Sequence, residues 1–124
     1  MVPEVPTIVG VAGGLSDFPK YNTRDVIQFQ TDIIKFKIYF EDYITKLAEM
    51  SKQPCLILCD RGIADCAAYM SRESYQAVLD EEGWTWSGLR DKRYDSVIFM
   101  NTAADGAEEY YTLANNAARH ETAE

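Results

Sequence analysis

The chain has 124 residues, 47% hydrophobic and 26% charged, the range of an ordinary globular domain with room for a core. Its formal net charge of −8 argues against a nucleic-acid partner, because phosphate backbones recruit basic surfaces, yet it allows a small phosphate ligand held by a few local cations. Cys55, Cys59 and Cys66, odd in number, together with an N-terminus that has no basic leader and too short an apolar run, predict reduced thiols in a soluble, cytoplasmic domain without a transmembrane segment.

In chain order, Val2–Val5 predicts a brief strand interrupted by Pro3, and Thr7–Ala12 either extends it or forms a helical turn, closed by Gly13-Gly14. A polar loop, Leu15–Thr23, follows. Val26, Phe29, Ile33, Phe36, Phe40, Tyr43/Ile44 and Leu47 recur every three or four residues, which predicts an amphipathic helix over residues 24–51. Asn22 or Thr23 supplies its N-cap, and Asp25 suits the positive end of the helix dipole. Pro54 breaks away, and Cys55–Cys59 reads as a strand buried on both faces, as in a parallel sheet. Residues 63–70 predict a short helix, and residues 71–82 another, stopped by Gly83. "WTWSGLRDKRY" reads as a turn-rich connection, and Ser96–Met100 as a second buried strand. The remainder is polar and alanine-rich, with helix expected beyond Gly106. Two or three short strands make a poor sheet for so many helices, so the expectation is one incomplete domain over residues 1–124.

The chemistry concentrates where the run Cys55–Cys59 ends, in Asp60-Arg61-Gly62. In open α/β sheets ligands bind outside the carboxyl ends of strands. A carboxylate there can hold a Mg²⁺-bound water or accept a proton from a hydroxyl. The planar fork of Arg61 suits phosphate oxygens, and Gly62 lets backbone approach a ligand. Spacing leaves a simpler alternative open, in which Asp60 caps the helix starting near Ile63 and Arg61 lies on the surface. Cys55 and Cys59 would stand roughly 13 Å apart along a strand, too far for one zinc ion or a disulfide. His120 is the lone histidine, in a polar tail. Glycines 10, 13 and 14 are followed by no Gly-Lys-Ser/Thr, and Glu108 and Glu109 fit a solvated helical turn.

Several stretches form an ordered succession: "VPE", "QFQ", "LILCDRGIADCAAYMS", "GWTWSGLRDKRYDSVIFM", "AADGAEEYY" and "AARHE". Over residues 2–121 they resemble the NadR-type AAA ATPase domain, the P-loop family that includes the TRPL translocation defect protein. The resemblance implies an α/β, nucleoside-kinase-like three-layer fold with a parallel sheet, binding ATP or GTP with Mg²⁺. It implies Glu4 at a strand end facing the substrate, Asp60 as catalytic and metal-holding carboxylate, and Arg61 and Arg119 on the nucleotide phosphates. Asp65 would organise the loop beneath them.

The family's phosphate-binding loop, Gly-x-x-x-x-Gly-Lys-Ser/Thr, does not occur in these 124 residues. The resemblance therefore implies a partial P-loop fold, lacking the first strand, the loop and the C-terminal end, and weak in nucleotide binding by itself. A second expectation from the resemblance is a non-catalytic, GTP-regulated module that binds phosphoinositide headgroups in membrane trafficking, for which a charge of −8 offers little attraction.

Overall fold

In the structure, a computed structural model that describes residues 1–13, 22–101, 106 and 110, Pro6 sets the first element. Its fixed φ and missing N–H suit the first turn of helix α1 (Val5–Val11), so residues 7–12 take the helical alternative. Helix α2 (Thr23–Ser51) begins with a full capping box. The Asn22 side-chain oxygen accepts from the Arg24 and Asp25 amides at 2.9 and 3.1 Å, and the Asp25 carboxylate accepts from the Asn22 amide. A 3-10 helix occupies Ile63–Tyr69. Helix α3 (Arg72–Glu82) starts where the Ser71 hydroxyl oxygen accepts from the Ser74 amide, and it stops at Gly83 in the left-handed region (φ 67°). The stretch expected to be a turn-rich connection contains a π-helical turn, Ser87–Asp91, whose closing bond runs from the Lys92 amide to the Ser87 carbonyl at 3.0 Å.

The expected three-layer α/β fold with a parallel sheet is not what the chain forms. Among the described residues there is no strand, only an isolated parallel bridge between Val2 and Cys59. It consists of Val2 N–H to Leu58 O at 2.7 Å and Asp60 N–H to Val2 O at 2.8 Å. Neither predicted strand is buried: Leu56 and Leu58 are exposed, as are Val97 to Met100. An all-apolar run becomes a central strand only when neighbours satisfy both edges and cover both faces. Within the described residues, Cys55–Cys59 meets one bridging residue and Ser96–Met100 meets no bridge at all. The brief strand predicted for Val2–Val5 is likewise reduced to the Val2 bridge.

The chain divides into two compact units, Met1–Tyr94 and Asp95–Glu124. The second contributes few described residues, and the helix expected beyond Gly106 lies outside them, as do Gly14 and most of the loop before α2. In the first unit α2 is the spine, contacting α1, α3 and the 3-10 helix. The core gathers Val5, Ile33, Ile34, Ile63, Cys66 and Tyr75 with Leu79 and Leu89. The apolar stripe of α2 is buried only in part. Ile33 and Ile34 are inside, whereas Phe36, Tyr43 and Leu47 are exposed, and the buried row continues through Lys37 and Glu41. No helix among the described residues is long and apolar enough to cross a membrane.

Tyr75 carries the core's one liability among the described residues. Its ring packs 4.8 Å from that of Trp86, but its buried hydroxyl has no hydrogen-bond partner. Burial pushes the phenol up to about 12, so it stays protonated. An unsatisfied buried polar group costs about 1–3 kcal/mol, and Tyr75→Phe removes it while keeping the ring. The variant is expected to unfold at higher urea, with a gain of about 1 kcal/mol; a loss of that size would mean that the hydroxyl is hydrogen-bonded in solution.

Candidate functional site

The turn Asp60-Arg61-Gly62 lies between the bridged residue Cys59 and the 3-10 helix, and its backbone is fastened at four points. The Asp60 amide donates to Val2 O, and the Asp60 carbonyl accepts from the Lys37 ammonium at 2.8 Å. The Gly62 amide donates to the Asp65 carboxylate at 2.8 Å, and the Ile63 amide donates to the Tyr94 hydroxyl oxygen at 2.9 Å. Between these ties Arg61 adopts φ 65°, the left-handed region that disfavours a β-carbon by roughly 1–2 kcal/mol. Such a conformation persists only where the surroundings over-determine it.

Beneath the turn lies a buried polar cluster. Lys37 and Glu41, four residues apart on α2, are 3% and 5% exposed. Their charged atoms are 3.9 Å apart. The Tyr94 hydroxyl donates to the Glu41 carboxylate, 3.1 and 3.2 Å from its two oxygens. Arg93 donates through Nε and Nη2 to Glu41 Oε2, both at 3.3 Å, and through Nη2 to Asp42 at 2.7 Å. Burial disfavours the Arg93 charge, but Asp42 and Glu41 outweigh it and hold the guanidinium above its usual range. Burial likewise raises the Tyr94 phenol, with the Glu41 charge adding to it, so this group is a fixed donor rather than an acid near neutrality.

Among the residues singled out by sequence, Arg61 and Glu4 come together: Arg61 Nε stands 3.6 Å from Glu4 Oε2. Glu4 also accepts from the Thr7 hydroxyl at 2.7 Å. Asp65 holds the Gly62 amide, capping the 3-10 helix from its third position. Of the simpler alternative, the cap falls to Gly62 rather than to Asp60, while Arg61 does lie on the surface. The Asp60 side chain makes no hydrogen bond or ion pair among the described residues, and the residue is exposed. Arg119 lies outside the described residues, as do His120, Glu108 and Glu109.

The cysteines give no metal centre. No group of three or more His, Cys, Asp or Glu among the described residues could hold an ion. Cys66 is buried, and burial pushes its thiol up to about 11, which removes it as a nucleophile. For Mg²⁺ the fit is narrow. Asp60 offers one exposed carboxylate, enough for an ion that keeps several waters and takes its other ligands from phosphates, but not for an all-protein cage. Two shallow surface depressions lie away from the turn, one along α3 at Arg72, Gln76 and Asp80, the other between Thr23, Ile27, Met70 and Ser74.

The sequence profile of the AAA domain family matches residues 16–124, a span that contains the whole turn and its buried cluster. The chain belongs to the AAA domain family. That places it among P-loop-NTPase-like, nucleotide-binding domains. No curated protein and no solved structure matches the chain. In this AAA domain Lys37, Glu41, Arg93 and Tyr94 escaped the sequence reading. Their one legible signal is that Lys37 and Glu41 continue, at spacings of three and four, the row that buries Gln30 and Ile34.

Proposed function

We propose that this AAA domain binds GTP or ATP with Mg²⁺ through the Asp60-Arg61-Gly62 turn. Asp60 holds a metal-bound water or takes the proton of an acceptor, and Glu4 lies on the substrate side. Arg61, with Arg119, neutralises phosphate charge. Asp65 keeps the turn in shape. The family match spanning the turn carries this reading. It is supported by the separation of roles within the turn, whose backbone is tied down while the Asp60 and Arg61 side chains face solvent. In a catalytic setting the reaction would be phosphoryl transfer or nucleotide hydrolysis, in which positioning and charge stabilisation dominate.

Affinity is expected to be weak. The Gly-x-x-x-x-Gly-Lys-Ser/Thr loop, which gathers backbone amides and a lysine around the β and γ phosphates, does not occur in the sequence. Arg61 must also exchange Glu4 for phosphate, in a protein of net charge −8. Calorimetric titration with Mg-GTP and Mg-ATP is expected to give dissociation constants above about 1 μM, weakened about tenfold further by Arg61→Ala. A sub-micromolar constant, or one indifferent to Arg61, would refute this assignment.

A further inference from the structure

We propose that Lys37, Glu41 and Tyr94 form a positioning clamp that sets the conformation of the Asp60–Ile63 turn and thereby the presentation of Asp60 and Arg61 to phosphate; the phosphate half of this statement rests on the function proposed above. The clamp grips the turn on both sides of its strained residue. Upstream, the Lys37 ammonium takes the Asp60 carbonyl; downstream, the Tyr94 hydroxyl takes the Ile63 amide. Glu41 joins the two grips, standing 3.9 Å from Lys37 and accepting from Tyr94. Lys37 and Glu41 stand four residues apart on α2, and Glu41 holds Tyr94, which comes from the segment after the π-helical turn, so the helix and that segment together set the spacing of the two grips. The distance between the Asp60 carbonyl and the Ile63 amide is thus dictated from below, and Arg61 is held in the left-handed region between them.

The burial of the clamp suggests that this is its purpose. A lysine and a glutamate 3% and 5% exposed carry a large desolvation penalty, and apolar residues of similar volume would pack there at no such cost. Residues that only fill space need no charge. Residues that must hold a backbone carbonyl and, through a phenol, a backbone amide do need it. Tyr94 has the same logic: its hydroxyl donates to Glu41 and accepts from Ile63, so neither function survives in phenylalanine.

Tyr94→Phe is the test, because it removes the hydroxyl that makes both bonds and keeps the ring. Amide hydrogen exchange and ¹⁵N–¹H spectra of the whole chain are read at Arg61, Gly62 and Ile63, with Ile34 as the control for a folded core. The expected result for Tyr94→Phe is exchange at Ile63 faster by about tenfold and displaced Arg61 and Gly62 resonances, with Ile34 unchanged. Mg-GTP affinity falls about tenfold in Tyr94→Phe, by as much as in Arg61→Ala, although Arg61 itself is intact. Wild-type exchange at Ile63 in Tyr94→Phe overturns the clamp. So does a displaced turn with undiminished affinity when Arg61→Ala is impaired. Failure of the function assignment has another signature, Arg61→Ala and wild type binding alike, and the exchange data then still decide whether the turn is clamped.

Discussion

Glu41→Ala is expected to lower the unfolding free energy by about 3–5 kcal/mol, a large part of what a small domain possesses. Glu41 is the acceptor on which the buried cluster converges, taking the Tyr94 hydroxyl and two nitrogens of Arg93 and facing the Lys37 ammonium. Alanine leaves Lys37 a buried cation whose remaining polar partner among the described residues is the Asp60 carbonyl, and leaves the Tyr94 hydroxyl without its acceptor. Arg93 is less affected, because it is partly exposed and keeps Asp42 at 2.7 Å. The cost should therefore fall mainly on Lys37, which gives the prediction a second arm. In a Lys37→Met background the penalty of removing Glu41 should shrink by about 1 kcal/mol or more, since no buried charge is stranded. Urea unfolding followed by tryptophan fluorescence measures both, because Trp84 packs against the core. A cost below about 1 kcal/mol for Glu41→Ala would show that water reaches the pair, for exposed pairs contribute only that much.

The contrast between the Glu41 cluster and the helix caps shows where sequence is informative. Asn22 with Asp25, and Gly83, were legible because each closes a bond to a residue at most four positions away. Asp65 bonds just as locally, but its place in the turn was implied by the resemblance alone. Lys37 and Glu41 look in sequence like a solvated pair on a helix, and what buries them is Arg93 and Tyr94, more than fifty residues away. The segments 55–59 and 96–100 failed in the opposite way. An unbroken apolar run states that both faces want cover, but it cannot name the cover, and in the described residues only Val2 arrives. The pairing of Glu4 with Arg61 links positions 4 and 61 across no local pattern, so only resemblance placed them at one site.

Ile34→Ala is the second large effect, expected to cost about 2–5 kcal/mol, against about 0.5–1.5 kcal/mol for Ile34→Val. Ile34 has no exposed surface and sits among Val5, Ile63, Tyr75 and Leu79, on the part of α2 that contacts α1, the 3-10 helix and α3. Removing three carbons there opens a cavity at the junction of those elements, where no single neighbour can collapse without displacing another. The informative comparison is Leu47→Ala. Periodicity places Leu47 on the same apolar stripe as Ile33, yet it is 43% exposed, and truncating it should fall within about 0.5 kcal/mol. The two variants thus separate a pattern from the packing that gives it energy. If Leu47→Ala proved as costly as Ile34→Ala, the stripe through Phe36, Tyr43 and Leu47 would have to be covered in solution, and the core would extend along the whole of α2 rather than its first half.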